Sequence, residues 1–424
     1  MVRRPTELAA TLFGAGSLRE PLDREFHGCN LVSVGTDSGF TIAGLFAGIG
    51  GVERGLAGAG GRAELLCEWW EPAKVVLAQR FPDASVVGDV RDLRSLPKVD
   101  VATAGFPCTD LSQAGRTHGI QGSQSGLVAE VFRLLRRQRV PVLVLENVRN
   151  MLVLDGGEAM RYLTAELESL GYRWAYRLVD SRFAGVPQRR QRVLFVAARD
   201  VDPRAILFAD DAGEPPDDRF RDDCFGFYWT EGLRGLGWAR DAVPTLKGGS
   251  TIGIPSPPAI WWPDGPPGRR IVVPRIEDAE SLQGFPRGWT TPASEVERRK
   301  GTRWKLVGNA VTVGVSAWLG RRIRKPGEPC LEGAAMQAGD RWPNAAFGAA
   351  GKVWGVDVSM WPVHATYKHL SDVVDLVNAQ PLSERGAAGF LSRARRAKLR
   401  FADGFLDDLD EHIAFMRGEG SVVV

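Results

Sequence analysis

From Phe40 onward the chain alternates short apolar runs with amphipathic helical stretches, and that alternation leaves few folds open to it. FTIAGLF, GVERGLAGAG, AELLCEW, PAKVVLAQRF, ASVVGDV and VDVATAGF follow one another, with PVLVLENV and RVLFVAA further on. Short β-prone runs separated by helical segments build βαβ units, whose crossovers set neighbouring strands parallel and put helices on both faces of the sheet. The expected fold class is α/β, a doubly wound Rossmann-like domain on a mostly parallel sheet.

Past about residue 200 the alternation gives way to DDAGEPPDDRFRDD and GIPSPPAIWWPDGPPGRR, which indicate a smaller, irregular second domain. Order returns near Arg275 with a helix over IEDAESLQG and an apolar, glycine-punctuated helix, VGNAVTVGVSAWLG, that rejoins the first domain. PLSERGAAGFLSRARRAKLRFADGFLDDLDEHIAFM has the periodicity of two or three helices, a mostly helical C-terminal extension. The organisation read from this is an N-terminal extension over 1–37, an α/β domain over 38–198, an irregular module over 199–274, a return segment over 275–328 and the extension over 329–424.

A chain of 424 residues, 44% hydrophobic and 25% charged, suits a soluble enzyme with one large core and a smaller unit. No apolar run approaches a membrane span and MVRRPTELAA lacks the apolar stretch of a secretory signal, so the expected location is cytoplasmic, with no membrane partner. Five scattered cysteines without a CxxC pair or nearby histidine argue against a disulfide framework and against a metal. A net charge of +3 makes nucleic-acid binding a question of local clusters: one over Arg182, Arg189, Arg190, Arg192 and Arg199, one over Arg321, Arg322, Arg324 and Lys325, one over Arg393, Arg395, Arg396, Lys398 and Arg400. Such a cluster is more often a solvated face than a phosphate contact.

The chemistry gathers at predicted strand ends. In LFAGIGG, Gly48, Gly50 and Gly51 make a tight strand-to-helix turn whose backbone a ligand can approach. Glu68 follows at the end of the next run, where such folds place a carboxylate for ribose hydroxyls, and Asp89 in VVGDV suits an adenine amino group. There is no GKS/T step for a triphosphate. In GFPCTDLSQAG, Cys108 follows a proline at the edge where open α/β sheets bind ligands, and the polar, glycine-rich continuation reads as a loop; that position favours a nucleophile over a core cysteine. LENV delivers Glu146 and Asn147 to the same edge, a carboxylate suited to proton donation beside a thiol, with a salt bridge as the plainer reading. Arg190 and Arg192 of QRRQR, one strand repeat apart, are expected on one face of a strand, placed to orient Glu146, a base or a phosphate.

Taken in order, LFAGIGG, CEWW, GDV, GFPC, LENV, QRRQR, RIEDAESLQGFP and VGNAVTVGV resemble the motif series of the bacterial-type cytosine-5 DNA methyltransferase family, over about residues 40 to 320. The resemblance implies a DNA (cytosine-5-)-methyltransferase that uses S-adenosyl-L-methionine and flips a cytosine out of double-stranded DNA. It implies catalytic roles for Cys108, Glu146, Arg190 and Arg192, with Cys108 adding to C6 while Glu146 donates a proton toward N3 and Arg192 acts electrostatically. Its cofactor pocket would comprise Phe46, Gly48, Gly50, Gly51, Glu68, Trp69, Asp89, Val90, Pro107, Leu127 and Asn309. DNA contacts would come from Ser112, Gln113 and Arg116 of a closing loop and from Thr245 of PTLKGG, a Thr-plus-aliphatic step in the recognition region. A cognate restriction or defence system is the expected partner and a monomer the expected state. A tRNA cytosine-5 methyltransferase shares this chemistry, but GFPCTDLSQAG and the long insert favour DNA. A catalytically inactive DNA-binding regulator would not need Cys108, Glu146 and Arg192 together, and a nicotinamide or nucleotide-sugar enzyme leaves the Pro-Cys and Glu-Asn-Val segments unexplained.

Overall fold

A computed structural model of the chain describes residues 34–35, 39–107, 126–248, 257–328 and 332–418. The first domain runs β1 (Phe40–Leu45), α1 (Gly51–Ala57), β2 (Gly61–Cys67), α2 (Glu71–Arg80), β3 (Ser85–Val87), β4 (Val101–Ala104), α3 (Leu127–Arg137), β5 (Val142–Val148), α4 (Glu158–Ser169), β6 (Arg173–Asp180), β7 (Gln188–Arg189) and β8 (Gln191–Ala198). Then come β9 (Phe225–Phe227), β10 (Ala239–Arg240), β11 (Val243–Pro244), β12 (Ala259–Trp261) and β13 (Ile271–Val273), followed by α5 (Ile276–Leu282), α6 (Lys300–Asn309) and α7 (Val313–Arg324). The C-terminal part holds β14 (Ala334–Ala335), β15 (Ala345–Ala349), β16 (Lys352–Gly355), β17 (Gln380–Pro381), α8 (Glu384–Arg396) and α9 (Phe405–Met416).

The main sheet has ten strands in the order β14-β16-β15-β6-β8-β5-β4-β1-β2-β3. From β3 to β5 every ladder is parallel. From β8 outward every ladder is antiparallel, which corrects the expectation of a mostly parallel sheet. The cause is chain length: only Ser181–Arg190 connects β6 to β8, too short for the dozen or more residues of a parallel crossover. Because the chain leaves β1 toward β2 and later returns on its other side as β4, a crevice opens at the carboxyl ends of β1 and β4.

Strands covered on both faces read as continuous apolar runs, and β5 shows why. Leu143 and Leu145 point into the cluster formed with Val128 and Phe132 of α3 and Leu163 of α4. Val142 and Val144 point the other way, into a cluster with Leu56, Trp318 and Leu319. On that second face α1 and α7 pack closely enough to exclude side chains. A Cβ on Gly55 would lie 2.4 Å from Ser316 Cβ, and one on Gly51 would lie 2.4 Å from the Val311 carbonyl oxygen.

Two departures from the sequence reading concern the later segments. The helix expected through VGNAVTVGVSAWLG is interrupted between α6 and α7, where the Ala310 carbonyl accepts side-chain hydrogen bonds from Arg190 and Gln283 instead of continuing a helical ladder. The C-terminal extension carries its expected helices but also strands: β15 pairs with β6 and so widens the catalytic sheet, while β17 pairs with β13. That second pairing makes β17 the last strand of a separate five-stranded sheet, β10-β9-β12-β13-β17. Helices α8 and α9 then cover this sheet, burying Phe390, Leu391, Phe405 and Leu409 against Phe227, Trp261 and Ile271. The boundary drawn at residue 274 therefore does not close the packing unit of the second domain. Among the described residues no helix is long and apolar enough to cross a membrane, and no His/Cys/Asp/Glu group is arranged to hold a metal ion.

One buried acid lies between α1 and the sheet. Glu53 is 2% exposed, and its Oε1 accepts a 2.7 Å hydrogen bond from the Thr103 hydroxyl while Oε2 is buried without a hydrogen-bond partner. Burial raises its carboxyl above the ordinary value of 4.5. A raised folded-state value means the stabilising contribution is complete below 4.5 and is lost as pH climbs toward the folded-state value. Glu53→Gln, which cannot ionise, should therefore gain on the wild type as pH rises from 4.5 to 8 in thermal unfolding; parallel pH profiles for the two proteins would contradict this.

Phe405 makes a second prediction. Its ring lies 5.1 Å from those of Phe227 and Trp238 and 5.3 Å from that of Trp261. Phe405→Ala should cost about 3–5 kcal/mol by urea unfolding, as expected for a core residue and not for one on a loosely docked tail.

Candidate active site

The site is built where strands end. After Leu45 the backbone turns sharply: Phe46 has φ 54°, an uncommon value for a residue with a side chain, and Gly48 has φ 56°. Among the described residues, a Cβ on Gly48 would meet nothing within 4 Å, and the same holds for Gly88 after β3, while one on Gly105 after β4 would meet Glu146, at 3.9 Å. Three strand ends at one edge of the sheet thus present bare backbone uncovered by the described residues. Gly50 and Gly51 are glycines for another reason, since Cβ atoms there would strike the Phe81 ring and the Val311 carbonyl. The tight turn was legible from the sequence; which of its glycines faces the opening was not.

Glu68, at the end of β2, is tied to this turn. Its Oε2 accepts from the Gly48 N–H and its Oε1 from the Trp70 N–H, each at 2.9 Å. Burial raises its carboxyl above the ordinary value, and those two N–H groups pull the other way. Beside it Trp69 is 71% exposed, an indole with no core to fill. Asp89 caps the turn that follows β3, accepting from the Arg91 backbone N–H at 2.9 Å and pairing with the Arg91 guanidinium, whose hydrogen bonds hold its carboxyl below the ordinary value. In this arrangement its carboxylate is engaged by the exposed Arg91 side chain. Phe46, Val90 and Leu127 pack on one apolar cluster beneath the opening. Cys67 is inert by contrast: its Sγ donates to the Gly88 carbonyl at 3.0 Å, and burial pushes its thiol up to about 12.

At the end of β4 the described chain stops at Pro107, which is exposed, so Cys108, Ser112, Gln113 and Arg116 lie outside the described residues. What precedes them is held firmly. The Asn147 side chain, 5% exposed, donates to the Phe106 carbonyl at 3.1 Å and accepts from the Val148 N–H at 2.8 Å. One residue earlier on β5, Glu146 forms an ion pair with Arg192 of β8, Nε to Oε1 at 2.8 Å. The register explains the meeting: Arg192 lies opposite Val148, so Glu146 is its diagonal neighbour on the same face.

Arg190 does not join them. It falls in the break between β7 and β8, so the shared strand face expected for Arg190 and Arg192 does not exist. Its guanidinium, 2% exposed, donates to the carbonyls of Leu246, Gly308 and Ala310. Burial lowers it to about 9, which still leaves it charged at neutral pH. Beside it Gln283 is fully satisfied: its amide donates to the Val307 and Ala310 carbonyls and its oxygen accepts from Gln188 and from the Thr312 hydroxyl. Gln188 in turn accepts from the Leu246 N–H at 3.0 Å. Thr245 sits in the same junction, its hydroxyl donating to the Arg189 carbonyl at 2.9 Å, and Asn309 lies beside Gly248. Sequence reasoning passed over Gln188 and Gln283; the signal was two amides set in apolar motif segments, which only burial turns into obligatory hydrogen-bond partners.

A doubly wound sheet whose carboxyl edge carries open glycines, a pinned acid and an exposed indole defines an α/β enzyme that binds a nucleoside-containing cofactor. Residues 40–215 match the profile of the C-5 cytosine-specific DNA methylase family. Type II methyltransferase M2.BsuMI of Bacillus subtilis (strain 168) is 43% identical over 381 residues, 87% of this chain and 97% of the relative. Type II methyltransferase M.Bsp6I of Bacillus sp. (strain RFL6) is 28% identical and covers 67% of this chain and 98% of its own. The crystal structure of S. pombe Dnmt2 methyltransferase shares the fold, at a TM-score of 0.50 and 14% identity over 66% of this chain and 97% of that one. The chain belongs to the C-5 cytosine-specific DNA methylase family, whose methyl donor is S-adenosylmethionine. The residues present suit that cofactor: open backbone at Gly48 and Gly88, and a carboxylate already fixed at the end of β2.

The junction makes a prediction of its own. Gln283→Leu would remove four buried hydrogen bonds, two to the Val307 and Ala310 carbonyls and two from Thr312 and Gln188. Unfolding free energy should fall by about 3 kcal/mol or more, and a loss under about 1 kcal/mol would show that the amide is not what holds the junction.

Proposed function

We propose that this chain methylates carbon 5 of a cytosine flipped out of duplex DNA, through a covalent bond from Cys108 to the base. The observation that carries this reading is the Glu146–Arg192 pair standing at 2.8 Å beside Gly105, three residues before Cys108. Flipping exposes C6, at a cost of a few kcal/mol in lost stacking and pairing. The Cys108 thiolate adds to C6 and forms the S–C bond, while Glu146, oriented by Arg192, delivers a proton toward N3; the electron pair then resides at C5. S-adenosylmethionine supplies an electrophilic methyl group for that carbon. Loss of the C5 proton to a base, ultimately solvent, re-forms the ring double bond and expels the Cys108 thiolate, while N3 returns its proton to Glu146.

Cofactor binding would fall to Glu68, accepting from ribose hydroxyls, to Trp69 and Phe46 through their rings, and to the bare backbone at Gly48. Asn147 and Pro107 would fix the chain before the nucleophile. Arg190 and Thr245 act in this reading as positioning residues, because their donors are spent inside the junction. Ser112, Gln113 and Arg116 would contact DNA, and the five-stranded sheet with its loops would read the target sequence. Relatives named as Type II methyltransferases support a role beside a cognate restriction nuclease.

The test is transfer of labelled methyl to duplex DNA and to tRNA side by side, with bisulfite sequencing of the DNA. Methylation at one short DNA motif is expected; labelling of tRNA alone would overturn the DNA reading. Cys108→Ser should lower turnover below detection, and a Ser variant of full activity would exclude the covalent route. Glu68→Ala should weaken S-adenosylmethionine binding at least tenfold in a calorimetric titration, about 1.4 kcal/mol, since ribose hydroxyls would lose their acceptor; unchanged affinity would remove Glu68 from the pocket.

A further inference from the structure

The helices α8 and α9 lie on the five-stranded sheet, far in sequence from the segment to which recognition is assigned. Their attachment is specific. Strand β17 pairs Pro381 with Val272 and Gln380 with Val273, and the helices bury an aromatic cluster against the sheet. At its C-terminal end α8 grips the loop after β9: Arg393 donates to the carbonyls of Trp229 and Glu231, each at 2.8 Å. Glu231 pairs with Lys247 at 2.7 Å, and Lys247 directly follows the Thr245–Leu246 step and directly precedes Gly248, which abuts Asn309. A short run of contacts therefore leads from α8 to the junction at the catalytic sheet.

The charges around this end are divided. The acids of α9 are largely spent inside the unit: Asp408 and Glu411 pair with Arg270, and Asp410 with Arg395. Arg396, one helical turn beyond Arg393, and Lys398 and Arg400 in the connection that follows are exposed and have no ion pair among the described residues. Cations in the last helical turn are favoured by the helix dipole, and Arg396 does return a hydrogen bond to the Ser392 carbonyl. That account stops at Arg396, where α8 ends, and leaves Lys398 and Arg400 unexplained. Asp403 is the nearest exposed acid that follows them. Arg234 is also exposed, on the loop that Arg393 grips.

We propose that the C-terminal helix pair is a working part of the recognition domain and that the rim formed by Arg396, Lys398 and Arg400 holds phosphates of the DNA beside the methylated site. This rests on the reading of the five-stranded sheet as the recognition domain. The partner is a polyanion because the rim offers three exposed cations with no ion pair among the described residues. Its contacts are with the backbone, so they add affinity and leave sequence choice to the loops.

The experiment compares the full-length wild type with Arg396→Ala/Lys398→Ala/Arg400→Ala, measuring Kd for a duplex carrying the methylated motif at several salt concentrations. Each lost phosphate contact lowers the salt slope by about 0.9, so the wild-type advantage should shrink roughly 40-fold between 50 and 200 mM salt. Turnover at saturating DNA, the methylated motif and the unfolding midpoint should stay as they are, and Arg396→Lys/Arg400→Lys should retain the wild-type slope. An unchanged slope in the triple variant overturns the proposal. Lys247→Ala separates the two readings: if it weakens DNA binding or shifts the motif while the triple variant behaves as wild type, the rim is excluded and the recognition domain stands. If neither change affects binding, both readings fall.

Discussion

The molecule depends on a small buried set of polar side chains, Gln188, Arg190, Gln283 and Thr312, whose hydrogen bonds hold four distant segments together. A buried carbonyl without a donor costs about 1–3 kcal/mol, and here the carbonyls of Leu246, Val307, Gly308 and Ala310 all meet side-chain donors from other segments. Hydrogen bonds of this kind are directional, so they fix orientation as well as contact. The β6–β8 connection of the catalytic sheet, the Thr–Leu step of the second domain, the end of α5 and the α6–α7 break can therefore meet in one arrangement only. An apolar junction would have held them as firmly while allowing them to slide.

From that junction the division of labour follows. On one side, the parallel half of the sheet ends in bare backbone and a pinned carboxylate, with Phe46 held in an unfavourable conformation by the packing beneath it. On the other, a sheet of very short strands would be weak by itself, since its strands span only two or three residues. It is stabilised by the helix pair that the C-terminal chain lays over it. That same chain, before it reaches β17, adds β14, β16 and β15 to the catalytic sheet. One continuous segment therefore pairs with both sheets, so they are joined through β15 and β17 as well as at the junction.

Much of the architecture was legible in the sequence because strand and helix periods are local. The runs from β1 to β5, the break near residue 200, and the two C-terminal helices all announce themselves by spacing and composition. The junction was not legible. Arg190 and Arg192 look equivalent in QRRQR, yet one grips carbonyls in a chain break and the other pairs with Glu146. Gly48 and Gly51 look equivalent in LFAGIGG, yet one faces open space and the other a carbonyl. These distinctions are made by neighbours tens or hundreds of residues away.

What the sequence determined by itself is the fold class, the family, and the set of residue types delivered to the carboxyl edge of the sheet, because all three follow from patterns within a few residues of one another. Tertiary structure decided which of those residues face the opening, where the sheet turns antiparallel, and that the final helices belong with the second domain. Those outcomes rest on ladders such as β17 with β13 and on hydrogen bonds such as Gln283 to Ala310, whose partners are set by three-dimensional closure of the chain and leave no periodic trace along it.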